Sequence, residues 1–446
     1  MLGFSIRDHL CKLGQQQLLA GLEYLSKEEL RNFADRLQKY SPAISAEQKE
    51  ALFRSRTLSE ADLHPHLKHE RSGSAENRKR GESLIRQGKV GCLILAGGQG
   101  TRLGFDGPKG SFPISPIKGK SLFQLFCERT RAASIWSGHP LPLCIMTSAA
   151  NHSQTVAFLQ NHHYFGLPAS QIFFIEQGML PLLDDRGHWL LESPGKIAEG
   201  PDGNGQALSL FFACGIWEKW KALGIEYLNV IFVDNALADP FDPEFVGFAE
   251  QAGADAALKA VERLSPDEKM GILAECAGKL KVIEYSEIPA NAPQFTLSST
   301  GMFCISMEFI RYLYQDLKVE LPLHLARKTA PVLLGTAKGL VQEMARIWKC
   351  ERFIFDLLDY SRRSAVLVCP REKIYAPLKN AVGEKGVETV KQALLVHDRE
   401  IYRALTGLLP KVSAFELDPV FYYPTEELKQ KLNQIPVLDQ DYISAD

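Results

Sequence analysis

The sequence predicts a doubly wound α/β fold on a mostly parallel sheet, and three observations predict it. From Val90 onward, short β-rich strings alternate with longer helical windows. The strings are near-continuous apolar runs, such as Val90-Gly91-Cys92-Leu93-Ile94-Leu95 and Tyr227-Leu228-Asn229-Val230-Ile231-Phe232-Val233. That texture belongs to strands buried on both faces. A glycine cluster follows the first run and Asp234 closes the second. Ligands of such sheets bind beyond the carboxyl ends of the strands.

The elements follow in order. Residues 1–80 read as a helical extension. Ser26-Lys27-Glu28-Glu29 is a capping box, in which hydroxyl and carboxylate each satisfy a backbone N–H. Leu30, Phe33, Ala34 and Leu37 then line one helical face, and Ser45 with Gln48 repeats the capping signal. The stretch 68–89 is highly charged without an apolar stripe, as in an exposed helix or connector. Strands are expected at 90–95, 141–147, 171–175 and 227–233, and helices at 122–133, 153–161 and 206–223. Strands at 279–285 and 299–306 flank the site. A strand at 365–369 and helical windows at 384–406 and 425–434 form a last module. The expected organisation is a helical extension (1–80), a sheet domain (81–350) and a small C-terminal domain (351–446).

Composition narrows the function classes. Among 446 residues, 51 Lys+Arg against 53 Asp+Glu leave a net charge of −2. That balance supplies no excess of cations for a nucleic-acid backbone or an anionic membrane. No apolar run approaches the ~20 residues of a spanning helix. Asp8, His9 and Lys12 interrupt the first segment, so a signal peptide is not expected. The nine cysteines form no CxxC pair and several sit in apolar strings, which fits a reduced, cytoplasmic protein.

The strongest chemical signal is Leu95-Ala96-Gly97-Gly98-Gln99-Gly100-Thr101-Arg102-Leu103-Gly104, followed by Pro108-Lys109-Gly110. Glycines directly after a buried strand leave bare N–H groups that can close around phosphate oxygens. Arg102 adds a planar fork of donors and Lys109 a point charge. Two commoner phosphate motifs fail. Gly119-Lys120-Ser121 ends like a P-loop, but Ile114 stands where its first glycine belongs. Gly98 and Gly100 are followed by Gly104, one residue late for the dinucleotide pattern. An NAD-dependent oxidoreductase is therefore disfavoured. His162-His163 lacks partners at metal-ligand spacing, and no nucleophile motif is present.

The string from Leu95 to Gly110 closely resembles the signature of the UDP-sugar pyrophosphorylase family, particularly its eukaryotic-type UDP-N-acetylglucosamine branch. Further blocks follow in matching order: Met146-Thr147-Ser148, Glu176-Gln177-Gly178, Pro201-Asp202-Gly203-Asn204-Gly205, Val233-Asp234-Asn235, Glu284-Tyr285 and Pro377-Leu378-Lys379-Asn380-Ala381. The resemblance implies a nucleotide-diphospho-sugar transferase (GT-A-like) fold. It also implies transfer of UMP from UTP to a sugar 1-phosphate, with release of pyrophosphate. Leu95, Ala96, Gly97 and Gly98 would hold the nucleotide, and Arg102 and Lys109 would face its phosphates. Gln177, by composition a plain loop glutamine, would read the uracil edge. Gly203 and Asn204, otherwise a surface turn, would contact the nucleotide. Asp234, otherwise a turn cap, would bind Mg²⁺. Glu284 and Tyr285, otherwise a strand end, would meet the sugar. Lys349 aligns with a phosphate-contacting lysine and otherwise reads as a solvated one; Lys379 is a second lysine of that kind.

Two departures bear on the sugar. The region 295–303 lacks the asparagines of the N-acetylglucosamine enzymes, and Gln206 replaces the last glycine of their PDGNGG block. N-acetylglucosamine 1-phosphate is the expected acceptor, followed by glucose 1-phosphate, with galactose 1-phosphate also open. The competing expectation is a UDP-sugar-binding or regulatory protein without catalysis. Together, Arg102, Lys109 and Asp234 argue against it.

Overall fold

In the computed structural model, which describes residues 5–54, 63–288, 295–336, 339–434 and 441–444, an eleven-stranded sheet organises most of the chain. Its main path runs Glu70–Arg71, Ser364–Val368, Ala256–Glu262, Leu297–Ser306, Tyr227–Phe232, Val90–Leu95, Leu143–Ser148, Ile172–Gln177. Val90–Leu95 pairs in parallel with Tyr227–Phe232 on one side and Leu143–Ser148 on the other. Leu297–Ser306 is antiparallel to both its neighbours, so the sheet is mixed but mostly parallel. Every residue of Val90–Leu95 and Leu143–Ser148 is buried, as their continuous apolar runs predict.

Topology places the site. From Val90–Leu95 the chain steps outward to Leu143–Ser148 and Ile172–Gln177. It then returns to add Tyr227–Phe232 on the opposite side. The strand order therefore reverses between Val90–Leu95 and Tyr227–Phe232, the switch point where open α/β sheets open a crevice. Register pairs Leu95 with Phe232, so the glycine loop and Asp234 leave neighbouring strands at the same edge.

The chain forms two compact units, each discontinuous in sequence. The larger comprises Ser59–Glu176, Ala207–Val319 and Phe355–Asp446. It holds the sheet and the core built from Ile94, Phe123, Phe126, Phe241 and Phe245 among others. It also holds the long helix Val387–Thr406, with a small core of Tyr402, Phe415, Leu417 and Phe421. The smaller comprises Met1–Leu58, Gln177–Gln206 and Glu320–Ile354. There the helices Ile6–Leu13, Lys27–Leu37 and Pro42–Phe53 pack Leu10, Phe33 and Leu37 with Leu183 and Trp189. A long antiparallel hairpin, His324–Thr336 with Gly339–Glu351, completes it. Among the described residues no helix is long and apolar enough to cross a membrane.

Several sequence expectations are refined. Ser26 and Glu29 form the capping box. Ser45 and Gln48 do not cap a helix; Ser41 does. Gln48 instead lies buried, donating to the Pro181 carbonyl and accepting from the Trp189 indole N–H. The charged stretch does form a helix, Ala75–Arg86, but it is not simply exposed. Gly81 lies so close to helix Pro243–Gln251 that a Cβ would sit 1.8 Å from the Pro243 carbonyl oxygen. Bare backbone contact, rather than an apolar stripe, buries that face. The expected helix at 206–223 is two, Ala207–Ala213 and Ile216–Ala222, broken where Gly215 takes a left-handed φ of 70°. Positions 1–4 and 55–62 of the expected helical extension lie outside the described residues.

Candidate functional site

Within the larger unit, the loop after Val90–Leu95 is built from behind. Asn151 donates its amide to the carbonyls of Ala96 (2.9 Å) and Gly98 (3.1 Å). The Ser148 hydroxyl donates to the Gly97 carbonyl at 2.8 Å, and the Lys109 N–H to that of Gly98 at 3.1 Å. Side chains from the next strand's end thus consume the carbonyls of 96–98, while the N–H groups of Gly97 and Gly98 take part in none of these bonds. Among the described residues a Cβ at Gly98 would meet nothing within 4 Å, and Gly98 does not have a positive φ. No neighbour among them requires glycine there. Open space in front of bare backbone is what a phosphate or a nucleotide needs.

Across the switch point stands Asp234, 7% exposed. Its Oδ2 lies 2.6 Å from Lys379 Nζ and 3.7 Å from Lys109 Nζ. Burial pushes the Asp234 carboxyl up, but Lys379 and Lys109 outweigh it and hold the group below the usual carboxylate range. Lys109, itself buried, is pushed below the ordinary lysine value by burial, only partly offset by Asp234. Exposed Arg102 adds to the field at both groups. Three cations thus face one carboxylate, a local positive excess in a protein of near-neutral charge.

The neighbouring residue explains how Lys379 arrives. Asn235, 1% exposed, donates to the Ile374 carbonyl (2.8 Å) and accepts from the Ala376 N–H (2.9 Å). The Leu378 N–H donates to the Asp234 carbonyl at 2.7 Å. These bonds pin 374–378 along Asp234-Asn235 and deliver the next residue's ammonium to the carboxylate. Glu284 and exposed Tyr285 follow the strand Lys279–Ile283. Tyr375 lies within the fields of both Asp234 and Glu284; burial first, then these charges, push its hydroxyl up.

The smaller unit gathers the other predicted residues. Gln177 is buried at the end of its strand, and Gly178 follows it so closely under Asp202 that a Cβ would lie 2.6 Å from Oδ2. Gly203 has φ of 90° and packs on the Arg352 carbonyl, 2.3 Å from where its Cβ would be. The protein's own packing therefore demands glycine at 203, unlike at 98. Asn204 accepts the Ile354 N–H at 2.8 Å through Oδ1, so its carbonyl serves the loop. Lys349 is not a freely solvated lysine: it pairs with Glu351 at 2.8 Å, and its stem crosses Gly200.

Sequence reasoning missed Asp202 and Arg352 in this unit. The Arg352 guanidinium binds both oxygens of Glu47 (2.9 and 2.7 Å), and the backbone N–H of Arg352 donates to the Asp202 backbone carbonyl (2.7 Å). Burial pushes the Asp202 carboxyl up to about 6 against the pull of Arg352 and Lys349. A carboxyl whose folded pKa exceeds its unfolded value near 4 favours folding fully below that value, and the contribution is lost as pH rises through the folded pKa. Asp202→Asn is therefore expected to raise the thermal midpoint at about pH 8 and by less at about pH 5. An equal midpoint at the higher pH would show that the fold already compensates the charge.

The fold is that of a nucleotidyltransferase. The model of the UTP--glucose-1-phosphate uridylyltransferase family matches residues 30–440, and the chain belongs to that family. It is 34% identical over 381 residues to UDP-N-acetylglucosamine diphosphorylase 2 of Arabidopsis thaliana, covering 79% of this chain and 74% of that one. It is 33% identical over 403 residues to the UDP-N-acetylglucosamine pyrophosphorylase of Saccharomyces cerevisiae, covering 85% and 83%. The crystal structure of the uridine diphosphate N-acetylglucosamine pyrophosphorylase from Trypanosoma brucei superposes with a TM-score of 0.79 at 25% identity, over 99% of this chain and 98% of that one. The resemblance read from the motifs and the expected fold are thereby both borne out.

Proposed function

We propose that the protein transfers UMP from UTP to N-acetylglucosamine 1-phosphate, with glucose 1-phosphate the next best acceptor, and releases pyrophosphate. One observation supports it most: a buried carboxylate held by two lysines stands across the switch point from a glycine loop whose exposed backbone faces open space. Both the donor and the acceptor carry phosphate, and the cation excess matches them.

The reaction we assign is a single in-line displacement at the α-phosphorus by the sugar phosphate oxygen. It asks the protein for positioning and cations, not a covalent nucleophile. Burial pushes the Cys92, Cys127, Cys144 and Cys304 thiols up, away from thiolate chemistry. The Gly97 and Gly98 N–H groups bind the nucleotide with Leu95 and Ala96 beneath them. Lys109 and Arg102 hold the non-bridging and leaving oxygens, and Lys379 neutralises the incoming sugar phosphate. Gln177 reads the uracil edge with one donor and one acceptor; Gly203 and Asn204 shape the loop beside it. Glu284 and Tyr285 take the sugar hydroxyls, and Lys349 is a further phosphate contact.

Divalent metal use fits the residues present. Among the described residues no group of three or more His, Cys, Asp or Glu could cage an ion. A single hard carboxylate, Asp234, suits Mg²⁺ shared with substrate phosphates, since that ion keeps waters and binds through one or two carboxylates. When bound there, Mg²⁺ would neutralise phosphate charge. We place the enzyme in the cytoplasm, a reading supported by nine free cysteines, six of them buried.

The test is a pyrophosphate-release assay crossing UTP with a panel of sugar 1-phosphates. Fastest turnover with N-acetylglucosamine 1-phosphate is expected; nucleotide binding without any release would instead favour a binding protein. Gln177→Ala is expected to cut the preference for UTP over other triphosphates about tenfold. Undiminished preference would remove Gln177 from base reading.

A further inference from the structure

The larger unit buries a second polar network that the reaction above does not use. Arg129, on the helix Leu122–Ser137, is 1% exposed. Its Nη1 donates to the carbonyls of Ala236 (2.9 Å) and Ala238 (3.0 Å). Its Nη2 donates to the Tyr422 hydroxyl at 3.2 Å, and the guanidinium carbon lies 4.4 Å from the centre of the Tyr422 ring. The Tyr422 hydroxyl in turn donates to Asp398 Oδ1 at 2.6 Å, and Asp398 Oδ2 accepts the Leu417 N–H at 3.0 Å. A continuous chain of bonds therefore runs from the long helix Val387–Thr406 to carbonyls two and four residues beyond Asp234.

The loop these bonds hold is a run of turns, neither helix nor strand. Its other side-chain ties reach several elements. Asn235 grips 374–376. Tyr423 bonds Asp239, Asn229 donates to the Pro240 carbonyl at 2.9 Å, and Lys259 pairs with Asp242. A buried guanidinium is an expensive way to fill space, and an apolar side chain of similar volume packs as well or better. What arginine alone adds is a rigid planar fork that reaches two carbonyls and a hydroxyl at once. Lysine would reach fewer of them, and a neutral chain would leave both carbonyls buried and unpaired.

We infer that Arg129, Tyr422 and Asp398 are positioning residues, a relay by which the C-terminal segment fixes the Asp234 carboxylate for nucleotidyl transfer. The inference rests on the reading of Asp234 as the phosphate- and metal-facing acid.

Two variants test it in the full-length chain. Tyr422→Phe keeps the ring and its packing but cuts the link to Asp398; Arg129→Lys keeps the charge but not the fork. Both are measured for kcat, for the KM of each substrate, and by calorimetry for the gain in UTP affinity on adding Mg²⁺. A loosened Asp234 is expected to lower kcat about tenfold, because small misplacements in a preorganised site are costly. The KM of the sugar phosphate should stay within about twofold and the Mg²⁺-dependent gain in UTP affinity should shrink several-fold. A merely structural relay would lower the thermal midpoint and leave the rate per folded molecule and the Mg²⁺ gain at wild-type values, and that result would overturn the inference. Should Arg129→Lys fail to fold, Tyr422→Phe decides alone.

A third variant separates the two readings. In an Asp234→Asn background, adding Tyr422→Phe should change the residual rate less than about twofold, because the relay then has nothing to place. A full multiplicative loss would overturn the relay and leave Asp234 standing. Near-wild-type turnover by Asp234→Asn alone would remove the reading of Asp234, and the relay's purpose with it.

Discussion

Asp234→Asn is expected to lower turnover roughly a thousandfold, the scale of losing a preorganised charge in a water-excluded site. Asparagine keeps the volume, but the two lysines lose their shared counter-charge. Lys109, 8% exposed and already pushed down by burial, bears the larger consequence. Removing one partner of a buried pair also destabilises the fold, so some fall in thermal midpoint should accompany the loss of rate. Rate per folded molecule and thermal midpoint must therefore be read separately. The loss should persist at any Mg²⁺ concentration; activity within tenfold of wild type would dismiss Asp234 as the metal-facing acid.

Lys109→Met is expected to lower kcat by about a hundredfold while leaving uridine binding nearly intact. Methionine preserves the stem, which packs at the start of the short turn Lys109–Ser111, and removes only the ammonium. It also relieves burial of a charge, and Lys379 at 2.6 Å still pairs the Asp234 carboxylate, so the fold should hold. That combination, a stable protein with a slow chemical step, distinguishes a phosphate-facing lysine from a structural one. An unchanged rate would reassign Lys109 to structure.

Much of this was legible in the chain itself. The strand Val90–Leu95 is readable residue by residue, because a fully buried strand needs an unbroken apolar run and a glycine loop ends it. Asp234 is readable because it terminates a second such run. The props are not readable. Asn151 is one asparagine after a strand end, and only its bonds to the Ala96 and Gly98 carbonyls, far away in sequence, reveal its work. Arg129 sits in a helical window like any surface arginine until the fold buries it. The hairpin His324–Thr336 with Gly339–Glu351 escaped too: Pro331 and interspersed charges blur its period-two pattern, and long-range pairing alone holds it. Gly81 is a last case, since a glycine inside a charged helix signals nothing until another helix touches it.

The central claim is a single displacement at phosphorus carried out by positioned cations, with no enzyme-bound uridylyl group. It is tested most directly with UTP bearing sulfur at one non-bridging α-oxygen of known configuration. The α-phosphorus of the UDP-sugar formed is then assigned by phosphorus NMR. Direct attack by the sugar phosphate predicts inverted configuration. Retained configuration would mean two displacements through a covalent intermediate, and would contradict the assignment of this site.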